Sequence, residues 1–198
     1  MTDTQPRFEF RVWGRDPSGP AARLQALSDV VGEAVSEETY VVAMDCDDVN
    51  LKIRDGVFDV KVLMAVSRSC EQWQPWIKAD LPVPAALLAG EIMPRLGITD
   101  LALELGSYDL SSLIDDVVRP HPRLHAAAVS KRRLKYVVAG CLAEVTDVVV
   151  NDHEFRTVAA ESVDLHSLGE MCRRLGIEGD ENVSYPRAIK RALGLENW

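Results

Sequence analysis

The chain has 198 residues, 47% of them hydrophobic and 27% charged, with a formal net charge of −9. That length carries one sizeable domain with a real core, and the composition is ordinary for a soluble globular protein. The acidity opposes general binding to nucleic acid or to anionic membranes, and no apolar run approaches the roughly 18 residues that span a bilayer. An anionic ligand would need a local cationic pocket. The opening MTDTQPRFE has neither the basic nor the apolar part of a secretory signal. Cys46, Cys70, Cys141 and Cys172 form no C-x-x-C pair, which reads as reduced thiols in a cytoplasm.

In chain order, RFEFRVWG (residues 7–14) alternates strictly and predicts a strand. Asp16-Pro17-Ser18-Gly19-Pro20 reads as a turn into a helix that places Leu24, Leu27, Val30 and Val31 on one face. Residues 34–45, rich in β-branched and aromatic side chains, predict a strand. VNLKIRDG and VFDVKVLMAV follow as a hairpin turned by Asp55-Gly56. Pro84 opens a helix carrying Leu87, Leu88, Ile92 and Leu96, and a shorter one runs from Asp109 to Val118 until Pro120 and Pro122 break the pattern. KRRLKYVV, LAEVTDVVV and FRTVAAESV are strand-like. Asp164 caps a helix ending at Gly176, and Ser184 caps a last short one. CEQWQPW (70–76) sets Trp73 and Trp76 near a strand end, where packing is their expected role.

Alternation sorts these strands into an oily face and a charged face. Phe8, Phe10 and Val12 oppose Arg7, Glu9 and Arg11. Lys52 and Arg54 share a face against Leu51 and Ile53, and Asp59 and Lys61 share one against Val60 and Val62. Lys131, Arg133 and Lys135 line up, as do Glu144 with Thr146, and Thr157 with Ala159 and Glu161. Asp147 has the opposite parity to Glu144, so only one of those two faces inward. Two architectures accommodate this pattern. One is an ordinary antiparallel sheet with its charges in solvent. The other is a closed barrel with helices on its apolar outside and the charged faces around a wet interior. A dry interior is excluded, because burying so many charges would cost several kcal/mol apiece. The barrel would hold water, metal ions and a polyanion.

At this point the strands resemble those of the CYTH superfamily, the triphosphate tunnel metalloenzymes. Their opening strand reads Glu-x-Glu-x-Lys, which falls on Arg7-Phe8-Glu9-Phe10-Arg11. ETYVVAMDCDDVNLKIRDG is similar to their second and third strands, with Lys52 and Arg54 at the basic pair, and FDVKV places Lys61. KRRLKY resembles the basic fifth-strand segment, with Lys131 and Arg133. LAEVTDVVV and RTVAAESVD resemble the late acidic strands, with Glu144, Asp147 and Glu161. NVSYPRAIKRALG is similar to the C-terminal helix preceded by Ser-Tyr.

The resemblance implies an α+β domain over 1–198: a closed antiparallel β-barrel tunnel of about eight strands with helices outside and a helical insertion at about 81–128. It implies Mg²⁺- or Mn²⁺-dependent hydrolysis of a triphosphate or polyphosphate. Arg7, Arg11, Lys52, Arg54, Lys61, Lys131 and Arg133 would bind the polyanion, and Glu9, Glu144 and Glu161 the metal. The implied partner is a small-molecule polyanion, with neither nucleic acid nor membrane. A homodimer is left open. Two alternatives stand beside hydrolysis: binding without turnover, and an adenylate-cyclase-type reaction, for which no adenine-recognising residues are identified.

The departures are specific. Arg7 stands where the family has its first Glu, Arg11 where it has Lys, and Ala159 where a second late carboxylate often stands. Hard divalent cations want oxygen ligands, which Glu9 and Glu161 could supply for one ion but hardly for two. His121 and His125 are separated by Pro122 and make a poor zinc pair. No glycine-rich phosphate loop and no Ser-His-Asp order is found. Glu33, Glu37 and Glu38 read as a solvated run.

Overall fold

The computed structural model describes residues 5–14 and 18–198. Its strands are β1 (Arg7–Gly14), β2 (Gly32–Ala43), β3 (Cys46–Arg54), β4 (Val57–Ser67), β5 (Cys70–Asp80), β6 (Val83–Pro84), β7 (Ser107–Tyr108), β8 (Leu124–Val138), β9 (Cys141–Val150) and β10 (His153–Ser162). Eight of them form a closed antiparallel barrel in the order β1-β10-β9-β8-β2-β3-β4-β5, with β5 returning to β1; β6 and β7 pair separately. Among the described residues five helices accompany them: α1 (Ser18–Leu27), α2 (85–95), α3 (110–118), α4 (Leu165–Leu175) and α5 (Tyr185–Ala192). Among the described residues no helix is long and apolar enough to cross a membrane.

The oily faces point outward, under helices. Phe10 and Val12 of β1 pack with Val145 and Val158 beneath Leu24 of α1 and Leu168, Met171 and Leu175 of α4. Leu51, Ile53, Phe58 and Val60 pack beneath Leu88 and Ile92 of α2 and Leu113 and Val117 of α3. A helix row on each flank thus removes the outer faces from water, which is the main gain from closing this sheet. It leaves the charged faces inside.

One end of the barrel is shut. α5 lays Tyr185 and Ile189 against Tyr40, Val42, Ala127, Val129, Val148 and Val150 at the foot of the wall. The loop before it also completes that wall. β5 pairs with β1 only along Arg7–Glu9. Beyond that, the Arg11 amide donates to Asn182 Oδ1 (2.8 Å) and the Val183 amide donates to the Arg11 carbonyl (3.0 Å). Asn182 Nδ2 donates to the Ser69 carbonyl (2.9 Å), and Trp13 Nε1 to that of Val183 (2.8 Å).

The Asp55-Gly56 hairpin forms with both residues at positive φ (52° and 74°), the primed turn that suits strand twist. Asp164 accepts from the Ser167 amide and Gly176 ends α4 at φ 66°. Ser184 stands at the N-cap of α5 but its side chain makes no capping bond.

Several expectations need correction. α1 stops at Leu27; Val30 and Val31 are exposed, because the Val31 amide already donates to the Lys135 carbonyl where β2 joins β8. Asp16 and Pro17 of the anticipated turn lie outside the described residues. Cys70–Asp80 is a full strand rather than a strand end; Pro75 fits because it sits at a register shift against Lys61. Trp73 is buried as expected, but Trp76 is 39% exposed. The helical stretch is shorter than 81–128, since β8 begins at Leu124 and pairs with β2 along Leu124–Lys135.

Candidate functional site

The inward faces surround a cavity of about 550 Å³. Seven cationic side chains line it (Arg11, Lys52, Arg54, Lys61, Lys131, Arg133 and Lys135) against four acidic ones, Glu9, Asp55, Glu144 and Glu161. A chain of net charge −9 has therefore gathered positive charge inside its barrel. This low-dielectric hollow strengthens each of those charges toward a ligand.

At the foot, Lys131 is buried. Its Nζ donates to Glu38 Oε2 (2.8 Å) and Tyr40 Oη (2.6 Å) and lies 3.5 Å from the centre of the Tyr185 ring. Glu38 Oε1 also accepts from Arg133 Nη2 (2.7 Å) and, more weakly, from Arg54 Nη1 (3.4 Å). Burial alone would raise the Glu38 carboxyl. Lys131 and Lys52, with the bonds from Lys131 and Arg133, outweigh it and hold the group well below the usual carboxylate range. Glu38 is thus the anion around which the cations are arranged, not part of a solvated run. Glu33 and Glu37 are exposed, on Arg132 and Ser130. The parity of Ser36, Glu38 and Tyr40 along β2 carried the signal.

Arg11 is the second node. Its guanidinium donates to Glu9 Oε1 (2.9 Å), Thr157 Oγ1 (2.8 Å) and Glu144 Oε1 (2.9 Å). Burial would raise Glu144, but Arg11 and Arg133 overcome it and hold the carboxyl down. Asp147 faces outward onto Arg156 (2.6 Å), so Glu144 is the inward member of that pair.

Other cations of the lining are less committed. Lys52 Nζ lies 3.8 Å from Asp59. Lys61 and Lys135 form no hydrogen bond or salt bridge among the described residues. Arg7 lies on the Glu9 and Arg11 face of β1, opposite Trp73, and its charge acts on Glu161. Of the anticipated binding and metal residues, all but Arg7 line one hollow, and Lys131, Arg11 and Arg133 are held there by internal partners. His121 bonds Asp100, while His125 is on β8 with its Nε2 buried and unpartnered.

A row of carboxylates crosses the wall at one level. Glu9 pairs in register with Glu161 on β10 and with Glu71 on β5. Burial and the Glu9 charge raise the Glu161 carboxyl. That is the repulsion a divalent cation would relieve, and Glu9 and Glu161 are the two carboxylates that would hold one, with its remaining ligands supplied from outside the chain. A preformed cage is absent: among the described residues no three His, Cys, Asp or Glu side chains converge as metal ligands.

Glu71 was not anticipated. Burial pushes its carboxyl up to about 7, the bond from Trp73 Nε1 (3.1 Å) opposes this, and Glu9 adds repulsion. A raised carboxyl costs nothing while protonated below the unfolded value near 4, and it removes stability as pH rises through the folded value. Glu71→Gln should therefore change stability little at about pH 4 and increase it by about 2–3 kcal/mol at about pH 8. Urea melts at the two pH values decide it; no gain at the higher pH would mean that Glu71 ionises freely.

No family model and no curated protein matches the chain. Among solved structures, HpAC1 from Hippeastrum, a nominal adenylyl cyclase with a dominant triphosphatase activity, superposes with TM-score 0.51 at 12% identity over 94% of this chain and 95% of its own. The PH1012 protein from Pyrococcus horikoshii gives 0.48 at 16% identity over 89% and 93%, and a nominal adenylate cyclase from Bacillus halodurans 0.48 at 11% over 94% and 98%. At such identities the likeness concerns the fold alone.

Proposed function

We propose that the barrel binds a linear triphosphate or longer polyphosphate, inorganic or carried on an organic group, and hydrolyses it with Mg²⁺ or Mn²⁺. The observation that carries this reading is the reversal of charge, a net-positive cavity of about 550 Å³ inside a chain of net charge −9. The fold shared with HpAC1 supports the same ligand class. Arg54, Arg133, Lys52, Lys61 and Lys135 bind phosphate oxygens, the guanidinium groups through paired coplanar donors. Glu38 and Glu144 hold Arg133 and Arg11 in place, so the cations are oriented before the ligand arrives. Glu9 and Glu161 hold the cation, which supplies charge neutralisation at the reacting phosphoryl group.

A second reading, retention without turnover, has its own observation. Arg11 occupies both Glu9 and Glu144, which lowers their availability to a metal.

A phosphate-release screen over tripolyphosphate, nucleoside triphosphates and thiamine triphosphate, each with Mg²⁺ and Mn²⁺, separates the two readings. Lys52→Ala and Lys61→Ala should each weaken tripolyphosphate binding about tenfold, as loss of a charge-assisted hydrogen bond does. Arg132→Ala, on the outer face of β8 beside Glu33, should leave it unchanged. Calorimetry giving wild-type affinity in both lysine variants would remove the polyanion from the barrel.

A further inference from the structure

The floor of the cavity contains a polar group that no other described residue uses. Tyr185, the first residue of α5, is 7% exposed and lines the cavity, and its hydroxyl is buried without a hydrogen-bond partner. The charged and phenolic groups around its ring have partners of their own: Arg11 has Glu9, Thr157 and Glu144, Arg133 has Ser36 and Glu38, and Tyr40 has Lys131. A buried orphan hydroxyl is costly, and a native structure that keeps one generally has a partner for it from outside the chain.

The ring cannot swing away to find another partner. Tyr40 stacks on it at 5.6 Å, Trp13 meets it edge-on at 5.0 Å, and Arg11 Cζ lies 4.6 Å from its centre. Burial raises the phenol and keeps it protonated, so the group is a donor. The charges it feels are Arg11 and Arg133 and the carboxylates that pair with them, Glu144 and Glu38. A fixed neutral donor whose ring lies beside the Arg11 guanidinium suits an oxygen that carries concentrated negative charge. α5 shuts the barrel behind it, so only the end of a ligand reaches the floor.

We infer that the Tyr185 hydroxyl donates to a terminal phosphoryl oxygen, and that the cavity takes its ligand end-on, selecting polyphosphates with a free terminus. This rests on the polyanion reading above and adds to it the direction of entry and a positioning group at the blind end. A terminal phosphoryl group offers three non-bridging oxygens. An internal one has two and meets the floor only if the chain doubles back.

The test uses metal-free tripolyphosphate and cyclic trimetaphosphate, which have equal phosphorus and differ in possessing an end. Each is titrated calorimetrically into the wild-type protein and Tyr185→Phe. The substitution removes only the unpartnered oxygen, so thermal stability should be unchanged or slightly higher. Tripolyphosphate should bind the variant about tenfold more weakly, the loss of one hydrogen bond to a charged group, while trimetaphosphate binding should change less than about twofold. Equal affinity of both proteins for tripolyphosphate, or equal losses for the two anions, overturns the inference while leaving the polyanion reading intact. Failure of the wild-type protein to bind either anion overturns both.

Discussion

Glu38→Gln should destabilise the protein by about 3–5 kcal/mol, the usual result of removing one partner from a buried ion pair. For a chain of this size that corresponds to a fall in Tm on the order of 10 °C. The Lys131 side chain is 1% exposed and that of Glu38 0%, so an ammonium left beside a neutral amide has no water to compensate it. Arg133 loses its strongest partner in the same step. The sign with pH follows from the depressed Glu38 carboxyl: its contribution is complete above the unfolded value near 4 and is lost as pH falls toward the folded one. The gap between wild type and variant should therefore narrow in acid. Adding Lys131→Met should restore much of the loss, because no uncompensated ammonium is then left in the interior. Chemical melts of the three proteins at about pH 7 and pH 3 check this; a Glu38→Gln protein as stable as wild type would show that the lysine sheds its proton at little cost.

Glu161→Gln should lower metal-dependent phosphate release by about a hundredfold or more, since a carboxamide keeps the shape but ligates a divalent cation poorly. Binding of metal-free tripolyphosphate should be unchanged or tighter, because one negative charge leaves a polyanion site. Burial and Glu9 raise the Glu161 carboxyl, so wild-type turnover should decline on the acid side at a higher pH than an ordinary glutamate would impose. The variant should lack that limb. Release at the wild-type rate would take Glu161 out of the ligand set, whereas no release by the wild-type protein itself would leave the retention reading.

How much of this was legible depended on which signals survive in one dimension. Period-two alternation is such a signal, and it placed Glu9, Arg11, Lys52, Lys61, Arg133, Glu144 and Glu161 on common faces before any fold was known. It could not say which face is inside; that is decided by helices covering the oily sides, a tertiary fact. β5 was missed because its hairpin turns on Arg68 and Ser69, both at positive φ without a glycine or asparagine, and because Pro75 argues against a strand unless a bulge is foreseen. Glu38 was missed through composition: three acids in six residues look like a wetted surface, yet Ser36 and Tyr40 flank it at the inward parity. Glu71 and Asn182 had no local signal. Their roles come from register against β1, which no pattern within their own segments encodes.

The seam beside β1 ties wall to floor. Along one edge β1 is paired with β10 from Phe8 to Gly14, but along the other β5 reaches only Glu9. Asn182 and Val183 take the remainder, and Tyr185 begins two residues later. The stretch of chain that seals the wall is therefore the same stretch that carries the floor. Any local breathing of the seam, the kind of opening that amide exchange detects, would move the Arg11 backbone and the Tyr185 ring together. The blind end of the cavity is in this sense hinged to its side, and a ligand held by both would clamp the seam shut.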